Sequence, residues 1–249
     1  MVSAQDGQPI SPAANFAVQA VRGTLGRATD VDACVALTGQ VNDLLRQAAQ
    51  HLQQRGASLA CRAGCNFCCY LRVMVLPHEA IALFRHLQSR MPEPIAQRVR
   101  ARLRERVAAA GAARVAQGAQ GAPPAPEAVG SPRHACAFLD DGQCAAYEVR
   151  PSACAAYHSL SKERCEQSFQ DPSLPTGTVA LQSLMVVAMA FEAGLNAGLQ
   201  AQGLSHEPIE LHAAVAALLG NPALIARWRA GRSLSRAGQG IVGESDGHG

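Results

Sequence analysis

The chain has 249 residues, 48% hydrophobic but only 4% aromatic, with 16% charged and a net charge of +3. It is long enough to bury one core and too nearly neutral to be an acidic solvating polymer or a strongly basic nucleic-acid coat. Its nine cysteines are too sparse for a disulfide scaffold, which typically exceeds about 8% of a short secreted chain.

Residues 1–12 read as loose and polar. Gln5, Asp6 and Gln8 stand where a secretory signal would lead a basic region into an apolar one. The most apolar stretch, 179–190, is broken by Gln182 and Ser183 and followed by Glu192, short of the ~20 residues that span a bilayer. The expectation is a cytoplasmic protein with no membrane partner. In that reducing compartment, clustered cysteines serve metals or redox chemistry rather than disulfides.

A first helix is predicted from Thr29, with Thr29-x-x-Asp32 as its cap, an apolar stripe through Cys34, Leu37, Val41, Leu44, Leu45, Ala48 and Leu52, and a stop at Gly56. Cys34 belongs to that stripe and is read as core. After the segment Cys61-Arg-Ala-Gly-Cys65-Asn-Phe-Cys68-Cys69 comes a short extended run, 71–75. Pro77 then opens a helix carrying Ile81, Phe84 and Leu87. A further helix over 93–116 sets Ile95, Val99, Leu103 and Val107 on one face and Arg98, Arg100, Arg102, Arg104 and Arg106 on the others, the latter read as a solvated surface.

Residues 117–132, rich in Ala, Gly and Pro, read as a linker or insertion. Beyond them Asp141-Gly142 signals a hairpin that brings Cys136 and Cys144 together. Pro151 starts a short helix with Cys154, on whose face His158 would also lie. A helix over 178–202, apolar nearly all round and holding Met185 and Met189 as core residues, is followed by helices over 207–219 and from Asn221 through Trp228 to Gly231. The fold class expected is mainly α: an irregular cysteine-rich metal site with a small β-hairpin, flanked by helices that form the core. One domain is expected over 13–232, with a disordered tail over 233–249.

Eight cysteines fall in two groups, Cys61, Cys65, Cys68 and Cys69 at 61–69, and Cys136, Cys144, Cys154 and Cys165 at 136–165. Four thiolates complete a tetrahedral zinc site or a four-iron cluster, and eight can supply two such sites. Cys61-x3-Cys65-x2-Cys68 packs three ligands into one loop, which favours an iron-sulfur cluster over zinc, although thiolates accept both. Around them, Tyr147 is read as packing beside the site with its hydroxyl bonded. Arg150 is read as binding a nearby carboxylate or carbonyl, or as pairing with Glu148 or Asp140. His158 is a candidate ligand, or a donor of a hydrogen bond to a ligand, weighed against an ordinary surface histidine.

Cys61-x3-Cys65-Asn-Phe-Cys68-Cys69-Tyr70, with Val73, Val75 and Glu79-Ala80, then Cys136-x-Phe138-Leu139, Gly142 and Cys144, then Tyr147-Glu-x-Arg150-Pro151-x-x-Cys154, resembles the YkgJ-type cysteine-cluster family. That resemblance implies a zinc- or iron-chelating domain with eight characteristic cysteines. Flagellin lysine N-methylases contain a similar cluster, for which an iron-sulfur cofactor and S-adenosylmethionine are implied. The chain departs from the pattern at Ala155, where an arginine is often found.

The leading expectation is thus a metal-binding protein with a structural or metal-carrying role, its partners a metal ion or cluster and a protein to which metal passes. The alternative is an iron-sulfur enzyme using S-adenosylmethionine, with an activity like that of a protein lysine N-methylase. Its usual βα-barrel setting finds no alternating strands and helices here. A zinc module binding nucleic acid is disfavoured by the weak basic excess and the few aromatics.

Overall fold

The computed structural model describes residues 15, 16, 19–21, 23, 31–116, 134–171, 174 and 182–234. The expectations for residues 1–12, for the linker at 117–132, for the Thr29 cap and for 235–249 of the tail lie outside these residues. The protein is mostly helical, with two small antiparallel pairs of strands.

Helix α1 (Val31–Gln54) buries Cys34, Leu37, Val41, Leu45 and Ala49, spaced three or four apart on one face. It gives way at Gly56, whose φ of +96° lies in the left-handed region that glycine enters without a Cβ penalty. Strand β1 (Met74–Val75) leads into α2 (Pro77–Ser89), which packs along α1.

Helix α3 (Glu93–Ala116) buries Val99 and Leu103, but Val107, expected on the same face, is 42% exposed. A four-residue spacing advances about 40° beyond a full turn at each step, so three steps carry Val107 roughly 120° away from Ile95.

The hairpin forms as the sequence predicts. Strands β2 (Leu139–Asp140) and β3 (Gln143–Cys144) pair with Leu139 opposite Cys144. Asp141 and Gly142 both take positive φ, 47° and 73°, as a tight primed turn requires. Helix α4 (Ser152–Ala156) follows Pro151, and α5 (Lys162–Gln170) opens at Ser161, whose hydroxyl accepts the Arg164 N–H.

Helix α6 (Gln182–Ala201) corrects the expectation of a helix buried all round. Leu184, Ala188, Phe191, Leu195 and Leu199 are buried, whereas Val186 and Met189 are each 64% exposed. The helix packs against α1 and α4 and turns one stripe inward. Met185 is half-buried against the core, so the methionine pair is split between core and surface. By length and composition alone, Leu184–Ala201 passes for a membrane-crossing helix, as a core helix also does.

The predicted helix over 207–219 begins later, because Ile209 and Glu210 form strand β4 (Ile209–Glu210), paired with β1 as Met74↔Glu210 and Val75↔Ile209. Pro208 disfavours a helical residue before it, and the open edge of β1 supplies a partner. Helix α7 (Leu211–Gly220) then packs on both α2 and α3. Helix α8 (Leu224–Arg229) buries Trp228, whose indole N–H donates to the Ser205 carbonyl at 2.9 Å. Two residues assigned to the tail are packed: Leu234 is buried and Ser233 donates to Glu207.

Candidate metal centre

The first cysteine segment is a series of tight turns. The Cys65 N–H donates to Arg62 O and the Cys69 N–H to Asn66 O. Gly64 supplies a φ of +82°. Cys68 and Cys69 lie on the 3-10 turn Phe67–Tyr70. Phe67 and Tyr70 press their rings on Phe169 of α5, at centroid distances of 5.8 and 4.6 Å. That contact sets the loop against the helix that carries Cys165. Ser159 ties the two further: its carbonyl accepts the Ala60 N–H at 2.8 Å and its own N–H donates to Cys61 Sγ at 3.1 Å.

The second segment is joined to the first by the Cys136 N–H, which donates to the Cys69 carbonyl at 2.7 Å. Here the arginine row of α3, expected to be a solvated surface, is put to use. Arg98 and Arg102 both bind the Asp140 carboxylate. Arg102 also donates to the Leu139 and Ala137 carbonyls, and Arg106 to those of His134 and Ala135. The two arginines hold the Asp140 carboxyl down at about 2. A guanidinium fork suits such a cluster of backbone and carboxylate oxygens, and an isolated exposed pair would contribute little.

Two buried polar residues place the rest. Asn42 of α1 donates from Nδ2 to the Glu148 and Arg150 carbonyls, fixing the turn before α4. Glu79 of α2 accepts the Leu76 N–H with one carboxylate oxygen and the Ser152 N–H with the other, each at 2.8 Å. It thereby caps its own helix and the helix that bears Cys154.

These constraints set Cys61, Cys65, Cys68, Cys69, Cys136, Cys144 and Cys154 on the wall of one cavity of about 710 Å³. Cys165 does not line that cavity, but it sits on α5, the helix against which Phe67 and Tyr70 press. All nine cysteines are free thiols. Cys34 is fully buried in α1, as the sequence implies. Among the described residues, no three Cys, His, Asp or Glu side chains stand ready around a single ion. The thiols surround a space into which they must draw together, which is how metal binding couples to local ordering.

Burial pushes up the thiols of Cys61, Cys144, Cys154 and Cys165, and that of Cys136 to about 12. Cys68 is the exception. The Cys69 thiol hydrogen-bonds it and Arg150 adds positive charge, so Cys68 ionises more readily than an ordinary cysteine and Cys69 far less. One thiolate beside neutral thiols is a natural first ligand, because the thiolate is the metal-binding form.

Tyr147 and Arg150 line the cavity. Arg150 lies over the Tyr147 ring at 4.4 Å and donates to the Ala155 carbonyl at 3.5 Å, Tyr147 is 56% exposed, and Asp140 is claimed by Arg98 and Arg102 rather than Arg150. His158 also lines the cavity. It reaches it from the strand-like stretch after α4 ends at Ala156, so it shares no helix face with Cys154. Its Nδ1 is buried without a hydrogen-bond partner, and burial depresses its protonation.

Sequence reasoning missed His212, Glu210 and Glu192. His212 and Glu192 line the same cavity. His212 Nε2 accepts the Ala137 N–H at 3.2 Å and its Nδ1–H donates to Glu210 at 2.7 Å. Burial pushes the Glu210 carboxyl up, but the hydrogen bonds from His212 and Ala213 outweigh it, and its pKa falls below the usual range. The only sequence signal was a Glu-x-His pair at the start of an apolar helix, far from any cysteine.

Residues 60–171 match the CxxCxxCC family model, a putative zinc- or iron-chelating domain. No curated protein and no solved structure matches the chain. The CxxCxxCC segment takes in all eight cysteines of the two groups, whereas α1 and the elements from α6 onward lie outside it and supply Asn42, Glu210 and His212. Thiols are soft donors that suit zinc and iron-sulfur centres alike, so the donor set fits the family description.

Proposed function

We propose that the protein binds zinc or iron through Cys61, Cys65, Cys68, Cys69, Cys136, Cys144, Cys154 and Cys165, with an iron-sulfur cluster as the preferred group and a structural or metal-carrying role. The observation that supports this is the convergence of seven of these thiols on one cavity from segments far apart in the chain. A single tetrahedral zinc has Zn–S distances of ~2.3 Å, and a cavity of about 710 Å³ leaves room for something larger. A reducing cytoplasm would keep the thiols available. A protein that receives the metal would complete the carrier role.

The test is metal and sulfide analysis of the full chain purified without oxygen. Iron and acid-labile sulfide in equal amounts, with a brown colour, support the preferred form. Zinc alone selects the other, and a chain that takes up neither metal overturns the reading.

A second reading has its own support. Besides the thiols, the cavity is walled by Leu71, Val73, Phe138 and Met185, with Arg72, Arg150 and Glu192 as polar groups, a mix and size that suit a small organic molecule. This favours an iron-sulfur enzyme that uses S-adenosylmethionine as the alternative. Addition of S-adenosylmethionine to the iron-loaded protein should then perturb the cluster spectrum, and an unchanged spectrum rejects it.

A further inference from the structure

Which thiols act together follows from how the two segments are cross-linked. The Ser159 N–H donates to Cys61 Sγ and its carbonyl accepts the Ala60 N–H, and Phe67 and Tyr70 dock on Phe169 of α5, so the loop from Cys61 onward faces the helix that carries Cys165. On the other side, the Cys136 N–H holds Cys69 by its carbonyl. The hairpin sets Cys144 opposite Leu139, and the Ala145 N–H donates to Phe138 O. Cys154 reaches the same cavity from α4.

We infer that the eight thiols form two four-thiolate sites, Cys61, Cys65, Cys68 and Cys165 in one and Cys69, Cys136, Cys144 and Cys154 in the other, with the adjacent Cys68 and Cys69 serving different sites. This rests on the metal-binding reading above and goes beyond it by dividing the ligands.

Seven of the eight thiols line one cavity, which sets the two sites side by side. Cys68 belongs with the first because Cys61, Cys65 and Cys165, on the loop and on the helix it docks against, have no other fourth thiol. A 3-10 turn sends successive side chains roughly 120° apart, three residues to the turn, as a shared boundary needs. Each site gains two negative charges when four thiolates meet a divalent cation. Arg150, which lines the same cavity, offsets their repulsion at that boundary.

The experiment loads the full chain with zinc alone and counts zinc per chain. The division expects two for the wild type and one each for Cys61→Ser and Cys136→Ser. The double variant Cys61→Ser/Cys165→Ser should still hold one, because both residues belong to the same site, and Cys61→Ser/Cys136→Ser should hold none. For variants that fail to fold, the wild-type protein gives the same information. Zinc is withdrawn stepwise with a chelator in the presence of an alkylating agent, and labelled cysteines are mapped by mass spectrometry. Labelling in the two predicted sets supports the division. One zinc per wild-type chain, labelling of all eight at once, or a set that mixes Cys61 with Cys136 overturns it while metal binding stands. A wild-type chain that binds neither zinc nor iron fails the underlying reading instead.

Discussion

Glu79 and Ser152 are 73 positions apart in sequence, and their hydrogen bond, N–H to carboxylate at 2.8 Å, joins the first turn of α2 to the first turn of α4. The second Glu79 oxygen accepts the Leu76 N–H, so one buried carboxylate satisfies an orphan donor at each of two helix starts. The consequence reaches Cys154, two residues after Ser152, whose position on the cavity wall depends on where α4 begins.

Glu79→Gln should therefore be costly. Glutamine offers one acceptor oxygen and one NH2, and the NH2 would confront an N–H donor. One buried N–H is left unpaired, at about 1–3 kcal/mol. The variant should show a lower denaturation midpoint and reduced metal content. Burial holds the Glu79 carboxyl above its ordinary 4.5, so the folded state binds the proton more tightly than the unfolded one. The contribution of this group to stability is thus greatest at low pH and declines as pH rises from 4.5 through the folded value. Thermal melts across that window should show this decline in the wild type and not in Glu79→Gln.

Arg102 is predicted to matter far more than its neighbour Arg104, which is exposed. Arg102→Ala removes donors to Leu139, Ala137 and Asp140 and should cost about 1.5–3 kcal/mol, the range for hydrogen bonds to charged groups. Arg104→Ala should stay within about 0.5 kcal/mol. Equal effects of the two in urea denaturation would return the whole arginine row to a solvated surface.

The same cluster gives an acid-sensitive term. Asp140 titrates at about 2 against an ordinary 3.8. Its contribution is present above 3.8 and is lost as pH falls towards 2. Asp140→Asn should remove that acid limb from the stability profile and make Tm less dependent on salt, since part of the cluster is exposed. A wild-type acid limb that survives the substitution would locate it elsewhere.

What the sequence made legible, and what it did not, divides by the range of the interaction. The α1 stripe, the Asp141-Gly142 turn and the cysteine spacing are local signals, fixed by helical period, by backbone conformation and by how many ligands a loop can hold. The β1–β4 pairing, the Asn42 and Glu79 bridges and the Ala137–His212 hydrogen bond depend on partners 70 to 140 positions away. Each looks unremarkable beside its own neighbours: a polar residue inside an apolar helix, or a histidine before a run of alanines. Val107 and Met189 fail for a related reason. An apolar pattern says a residue can be buried, and only the neighbouring elements decide whether anything covers it.

His212 offers the sharpest check on the elements outside the CxxCxxCC segment. Its Nε2 accepts from the Ala137 N–H, a group that can only donate, so the ring must carry its proton on Nδ1, where Glu210 receives it. The ring thereby positions the residue next to Cys136 while binding no sulfur itself. His212→Phe keeps the bulk but leaves both the Ala137 N–H and one Glu210 oxygen without their partner. Loss of such outer support around metal ligands typically lowers metal affinity 10–100-fold. His212→Asn can restore an acceptor for Ala137 and should recover part of that loss. Competition with a chromogenic chelator measures both. A structural role alone would lower Tm equally in the two variants with zinc affinity unchanged, whereas positioning of Cys136 requires affinity to fall in His212→Phe and to return in part with the amide.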